Sequence, residues 1–168
     1  MNILYPQIVI YISLSFVTSC SFYSFTGTSI PPSIKTISIH YVKNEATLFQ
    51  PNLSNIITEN LINKCQTETN LSSVDSSGDI EFYGIITNYN ITPVAINSAE
   101  QATQNRLTIS VEINFLNKID ETKSFKTVFT QYKDFSTNDN FSAIEENLCS
   151  AIAEELIDDI FNMALVNW

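Results

Sequence analysis

From residue 35 to 42 the chain alternates, with Ile37, Ile39 and Tyr41 on one side and Thr36, Ser38 and His40 on the other. A period of two predicts a strand with one covered face. Pro51-Asn52 then opens a helix, since Pro suits a first turn and Asn a cap. Leu53, Ile57, Leu61 and Cys65, with Ile56 beside them, recur at helical spacing to about residue 68. A short strand, Leu71–Asp75, leads through the turn Ser76-Ser77-Gly78-Asp79 to a longer strand from Ile80 to about Ile91, which Pro93 limits. Residues 93–104 read as a polar loop. Leu107, Ile109, Val111, Ile113 and Phe115 then face one way against Thr108, Ser110, Glu112 and Asn114. The turn Asp120-Glu121-Thr122-Lys123 returns this strand as a hairpin through Phe125–Tyr132. Ser142 and Glu145 have the spacing of a capping box. They open a long helix with two adjacent apolar rows, Ile144-Leu148-Ile152-Leu156-Ile160 and Cys149-Ala153-Ile157-Phe161-Leu165.

The predicted order is β-α-β-β-β-β-α, or one strand fewer if Leu71–Asp75 merges with its neighbour. Helices with one apolar stripe and strands with one apolar face give an α+β fold. The expectation is a two-layer sandwich, two helices packed on one face of a four-stranded, mostly antiparallel sheet. The other sheet face is left open. Tyr83, Ile85 and Tyr89, with Val128 and Tyr132, fall in the phase opposite Phe82/Ile86 and Phe125/Phe129. Two readings stand: an open aromatic face that meets a partner, or a bulge that turns those tyrosines into the core.

Composition fits one small domain: 168 residues, 44% hydrophobic and 15% charged. The net charge of −10 is uneven, because residues 134–168 hold eight acidic residues and no basic one. No Lys/Arg cluster exists to displace counterions from phosphates, which excludes nucleic acid as a partner. The last helix places Glu154 over Asp158 and Glu155 over Asp159, like charges one turn apart. They read either as a solvated face or as a surface for basic groups or divalent cations. Catalysis has little material. His40 is the single histidine, and it reads as a surface residue of a strand. An enzyme would have to use the clustered acids Glu145/Glu146, Glu154/Glu155 and Asp158/Asp159. The spacings offer no metal centre and imply no cofactor.

The N-terminus reads as an address. Ile3 to Val17 is apolar, too short to span a bilayer, and fits the h-region of a secretory signal, although no Lys or Arg precedes it. Val17-Thr18-Ser19-Cys20 follows, and resembles the lipobox of bacterial lipoproteins. That resemblance implies a signal peptide over 1–19, removed to leave an acylated Cys20 as the mature N-terminus. Residues 20–33 then form a tether reaching at most about 50 Å, and residues 34–168 form a single domain. Ser21-Phe22-Tyr23 lacks an Asp at the second position, which favours an outer-membrane anchor with the domain facing the periplasm. The remaining thiols, Cys65 and Cys149, fit either a disulfide or two buried free cysteines.

The mature chain also resembles a family. Phe22-Tyr23-Ser24-Phe25-Thr26-Gly27-Thr28-Ser29-Ile30-Pro31, Lys35-Thr36-Ile37-Ser38-Ile39 and Asn44 to Ala46 are similar to the small lipoprotein of lipopolysaccharide assembly, the LptE type, in its Bacteroidota form. Arg106-Leu107-Thr108-Ile109, Asn117-Lys118-Ile119-Asp120 and the ending from Asp158 to Trp168 extend the likeness. It implies two helices against a four-stranded sheet. It also implies a non-enzymatic role as a plug within a large outer-membrane β-barrel, the pair inserting lipopolysaccharide into the outer leaflet. Contact with lipopolysaccharide through basic residues near one end of the sheet is implied too, for which Arg106, Lys126 and Lys133 are the candidates. The alternative is a periplasm-facing lipoprotein acting as a binding or adaptor module without a barrel partner.

Overall fold

The alternation at residues 35–42 does not run through. In the computed structural model, which describes residues 30–48, 50–94 and 104–166, β1 (Thr36–Ile39) stops before His40 and β2 (Lys43–Asn44) resumes beyond it. After them come α1 (Leu53–Glu68), β3 (Ser72–Ser73), β4 (Ile80–Val94), β5 (Gln104–Asn117), β6 (Phe125–Ser136) and α2 (Phe141–Phe161). The sheet runs β3-β1-β4-β5-β6, with β2 also paired to β4. Both helices lie on one face, α2 against β5 and β6, α1 against β1, β2 and α2. The two-layer α+β arrangement is therefore present. The sheet, however, is mixed and has six strands, where four mostly antiparallel strands were expected. β4, β5 and β6 are antiparallel neighbours, while β1, β2 and β3 pair in parallel. The reason is α1: a helix between two strands carries the chain back to its starting end, so the next strand joins in parallel.

Two bulges decide which side chains the helices cover. Ile39 pairs with Phe82 but Lys43 pairs with Ile85, so the β1–β2 side holds one extra residue. One extra residue reverses the alternation. Val42 is buried (1% exposed) and Tyr41, expected inside, is 58% exposed. α1 accommodates the break, because the Val42 N–H donates to Thr58 Oγ1 at 3.1 Å. Gly84 receives the displaced side chain: a Cβ there would lie 2.8 Å from Val42 Cγ2.

The second bulge lies between Ile86 and Asn88 of β4. It turns Tyr89 into the core, 6% exposed, while Tyr83, Val128 and Tyr132 stay exposed on the open face. Each of the two readings of these tyrosines thus holds for part of the set. β4 also continues past Ile91, with Pro93 opposite Asn105. Its pairing to β2 ended at Ile86, so Pro93 sits on a local edge where its missing N–H breaks no ladder bond.

The core forms where expected. Leu107, Ile109, Val111, Ile113 and Phe115 are fully buried, facing Leu53, Ile57 and Leu61 of α1 and Ile152, Leu156 and Ile160 of α2. The capping box does not form. Asn140 is the N-cap, Ser142 lies inside the first turn, and the Glu145 carboxylate accepts from Tyr89 Oη at 2.6 Å. Gly78 has a steric role, since a Cβ there would lie 2.8 Å from the backbone nitrogen of Ser38. The loop after β3 therefore crosses directly over β1 and covers Ser38.

Candidate functional site

The open face of the sheet carries the polar chemistry, and Glu81 is its most constrained group. The residue is only 5% exposed. Its Oε2 accepts from Tyr83 Oη at 2.5 Å and meets His40 Nε2 at 3.2 Å, and its Oε1 pairs with the Lys118 ammonium. Lys118 above all, then the Tyr83 hydroxyl, lower the Glu81 pKa from 4.5 to about 2, with His40 adding to them against the cost of burial. The same contact raises the Tyr83 hydroxyl. His40 stacks on the Tyr83 ring, centroids 4.1 Å apart and planes 9° from parallel. His40 is thus a member of a polar cluster rather than a plain surface residue.

The cluster has the ingredients of a Ser–His–Glu set but not its geometry. Ser38 Oγ lies 3.4 Å from His40 Nε2, the same ring nitrogen that meets Glu81. A nitrogen whose proton goes to a carboxylate cannot also accept from a serine, and a triad needs both ring nitrogens. Ser38 is fully buried besides.

Farther along the face, Glu112 pairs with Lys126 at 2.9 Å and Ser110 Oγ meets Thr130 Oγ1 at 2.9 Å. At the far end Arg106 holds Asp134 through two bonds of 2.7 and 2.9 Å and lies 3.7 Å above the Tyr132 ring. The guanidinium holds the Asp134 carboxyl below its ordinary range.

The three candidate lipid contacts are not brought together. Arg106 and Lys126 share the open face but sit opposite Asp134 and Asn114 respectively. That is eight residues apart along β5, or about 27 Å at the rise of a strand. Lys133 projects from the other side of β6 to Glu155 of α2, at 2.5 Å. Each of the three cations already holds a carboxylate.

Three acids of α2, Glu155, Asp158 and Asp159, are likewise answered within the chain. Lys64 of α1 pairs with Asp158 at 2.8 Å and Gln131 donates to Asp159 at 2.7 Å, besides the Lys133–Glu155 contact. The helix has no basic residue of its own to relieve these charges; α1 and β6 supply the partners. The alternatives for the thiols resolve to free, buried cysteines. Burial pushes Cys65 up to about 12 and Cys149 up to about 11. Among the described residues no group of three His, Cys, Asp or Glu could hold a metal ion. Cys20, the expected lipidation site, lies outside the described residues.

Sequence reasoning missed Glu81 and Lys118. Glu81 reads as one polar position of a strand, and its partners come from three separate stretches of chain. No local spacing announces such a cluster.

The site is thus the open face of a helix-backed sheet, carrying ion pairs and the exposed side chains of Tyr83, Val128 and Tyr132. Residues 34–164 match the LptE family of lipopolysaccharide-assembly proteins, a family of assembly factors rather than catalysts, and the chain belongs to it. Solved structures share the fold at low identity. A lipoprotein B from Nitrosomonas europaea is 12% identical, covering 83% of this chain and 85% of its own, with a TM-score of 0.56. A hypothetical protein from Chlamydia trachomatis is 8% identical over 78% of this chain and 98% of its own, at 0.53. A minor lipoprotein from Acinetobacter baumannii is 12% identical over 76% and 90%, at 0.50. No curated protein matches the sequence.

Proposed function

We propose that the protein is a lipoprotein of the outer membrane that partners a large β-barrel and assists the insertion of lipopolysaccharide. In this reading residues 1–19 are removed, Cys20 carries the acyl chains and residues 20–33 tether the domain, residues 34–168, on the periplasmic side. The observation that carries it is the family match over residues 34–164. The open face supports it: Tyr83, Val128 and Tyr132 are exposed there among polar groups, as on a surface that meets another protein. No catalysis is involved. Lipid phosphate reaches Arg106 and Lys126 on this face by displacing Asp134 and Glu112 respectively, whereas Lys133 faces the helices.

Depletion of the protein in cells tests the role. Lipopolysaccharide accessible at the cell surface should fall while total lipopolysaccharide persists. Unchanged surface lipopolysaccharide after complete depletion would refute the assembly role and favour an adaptor module.

A further inference from the structure

We propose that β6 pairs along its free edge with the same edge of a second copy, antiparallel and centred on Thr130. β6 ends the sheet, and among the described residues β5 is its only strand partner. Its register with β5 is unbroken from Phe125 to Ser136, and it contains neither Pro nor Gly. A long, regular edge of this kind is a template for a further strand.

The direction of the unused backbone groups follows from two bonds at the end of β5. The Asn117 N–H reaches Ser124 Oγ, next to β6, while the Lys118 N–H reaches the Asp79 carbonyl, next to β4. Successive residues point these groups to opposite sides. Odd-numbered residues of β5 therefore bond to β6, and even-numbered ones to β4. Even positions of β5 sit opposite even positions of β6, as Ser110 does Thr130. Lys126, Val128, Thr130, Tyr132 and Asp134 consequently turn their N–H and C=O groups to the free edge. Ser136, next in the series, is closed off by Asp139: its N–H donates to Asp139 Oδ2 at 3.0 Å and its carbonyl accepts from the Asp139 N–H at 3.1 Å.

The side chains of these five residues are self-complementary about their midpoint. A twofold axis at Thr130 sets Thr130 opposite Thr130, Val128 opposite Tyr132, and Lys126 opposite Asp134 of the second copy. Moving the axis to the next position in either direction sets Lys126 opposite Tyr132, or Val128 opposite Asp134, and loses both matches. The existing pairs extend the complementarity. Lys126 holds Glu112 and Asp134 holds Arg106, so the contact strings Glu112, Lys126, Asp134 and Arg106 into a row of alternating sign across the two copies. The interface is isologous, as a closed dimer requires. An edge of nine residues is small, so the association is weak and is best trapped covalently. It rests on no part of the assembly role.

Cysteine cross-linking in membranes from cells making the full-length chain tests the register. The wild type sets the background from Cys20, Cys65 and Cys149. In a hydrogen-bonded antiparallel pair the opposed Cα atoms lie about 5.5 Å apart, within the ~4.4–6.8 Å a disulfide bridges. Thr130→Cys should give a disulfide-linked homodimer on mild oxidation. Val128→Cys should not link to itself, because the two copies of residue 128 are offset by four residues, about 13 Å. Val128→Cys made together with Tyr132→Cys should link the two variants. Self-linking of Val128→Cys as readily as Thr130→Cys would overturn the register. Absence of a homodimer from both Thr130→Cys and the mixed pair, at normal abundance of each chain, would overturn the pairing. So would capture of a different protein by Thr130→Cys in place of its own copy.

Discussion

Replacing Glu81 by Gln should destabilise the domain at neutral pH and lose that effect in acid. The variant keeps the shape and an acceptor for Tyr83, but removes the charge that Lys118 answers. In the folded protein the carboxyl titrates at about 2, against 4.5 ordinarily. A depressed carboxyl pKa stabilises the fold at pH above the unfolded value, and this is lost as pH falls toward the folded one. At 1.36 kcal/mol per unit, a shift of this size corresponds to about 3 kcal/mol. Lys118 is half exposed, so solvent screening lowers the effective figure to about 2 kcal/mol. Urea titrations of the two proteins, followed by circular dichroism, should show that gap at pH 7. More than half of it should be gone by pH 3, because the wild type alone loses this stability. Equal midpoints at pH 7, or a gap that persists unchanged at pH 3, would refute the reasoning.

Gly84→Ala should cost about 1–3 kcal/mol, since its Cβ would press on Val42 in a packed core, and adding Val42→Ala should recover part of the loss in the same titrations. Cys65 and Cys149 should resist alkylation in the native protein and react on unfolding, because burial raises both thiols; rapid labelling of the folded chain would contradict the described core. Cys20→Ala should release the protein from membranes and abolish incorporation of a fatty-acid probe, stable anchoring needing more than one acyl chain at about 0.8 kcal/mol per buried CH₂.

The helices and the central strand were legible because burial repeats along them without interruption. Leu107 to Phe115 alternate through nine residues, and all the apolar members are buried. The bulges were not legible, because one extra residue leaves no mark in composition. Tyr41 and Val42 are both acceptable core residues by type, and Gly84 and Thr58, remote in sequence, decide between them. The same holds for Tyr89, whose inward turn is secured by Glu145, 56 residues away. Ser142 and Glu145 have the right spacing for a cap, yet Glu145 is taken by that tyrosine. β2 escaped notice for a related reason, being two residues that depend on the edge they join, whereas β3 lies within the short strand expected over Leu71–Asp75 and keeps only Ser72–Ser73 of it. Arg106, Lys126 and Lys133 were candidates only through the family resemblance, which implies basic residues near one end of the sheet. The alternation of β6 sends Lys133 to the helix side and Lys126 to the open one.

The central claim is that this domain serves a barrel in lipopolysaccharide assembly, and affinity capture from detergent-solubilised outer membrane tests it most directly. The tagged full-length chain should bring down one large β-barrel protein in a fixed ratio, with lipopolysaccharide in the same fraction. Recovery of the chain without any barrel, from membranes in which the barrel is abundant, would contradict the account.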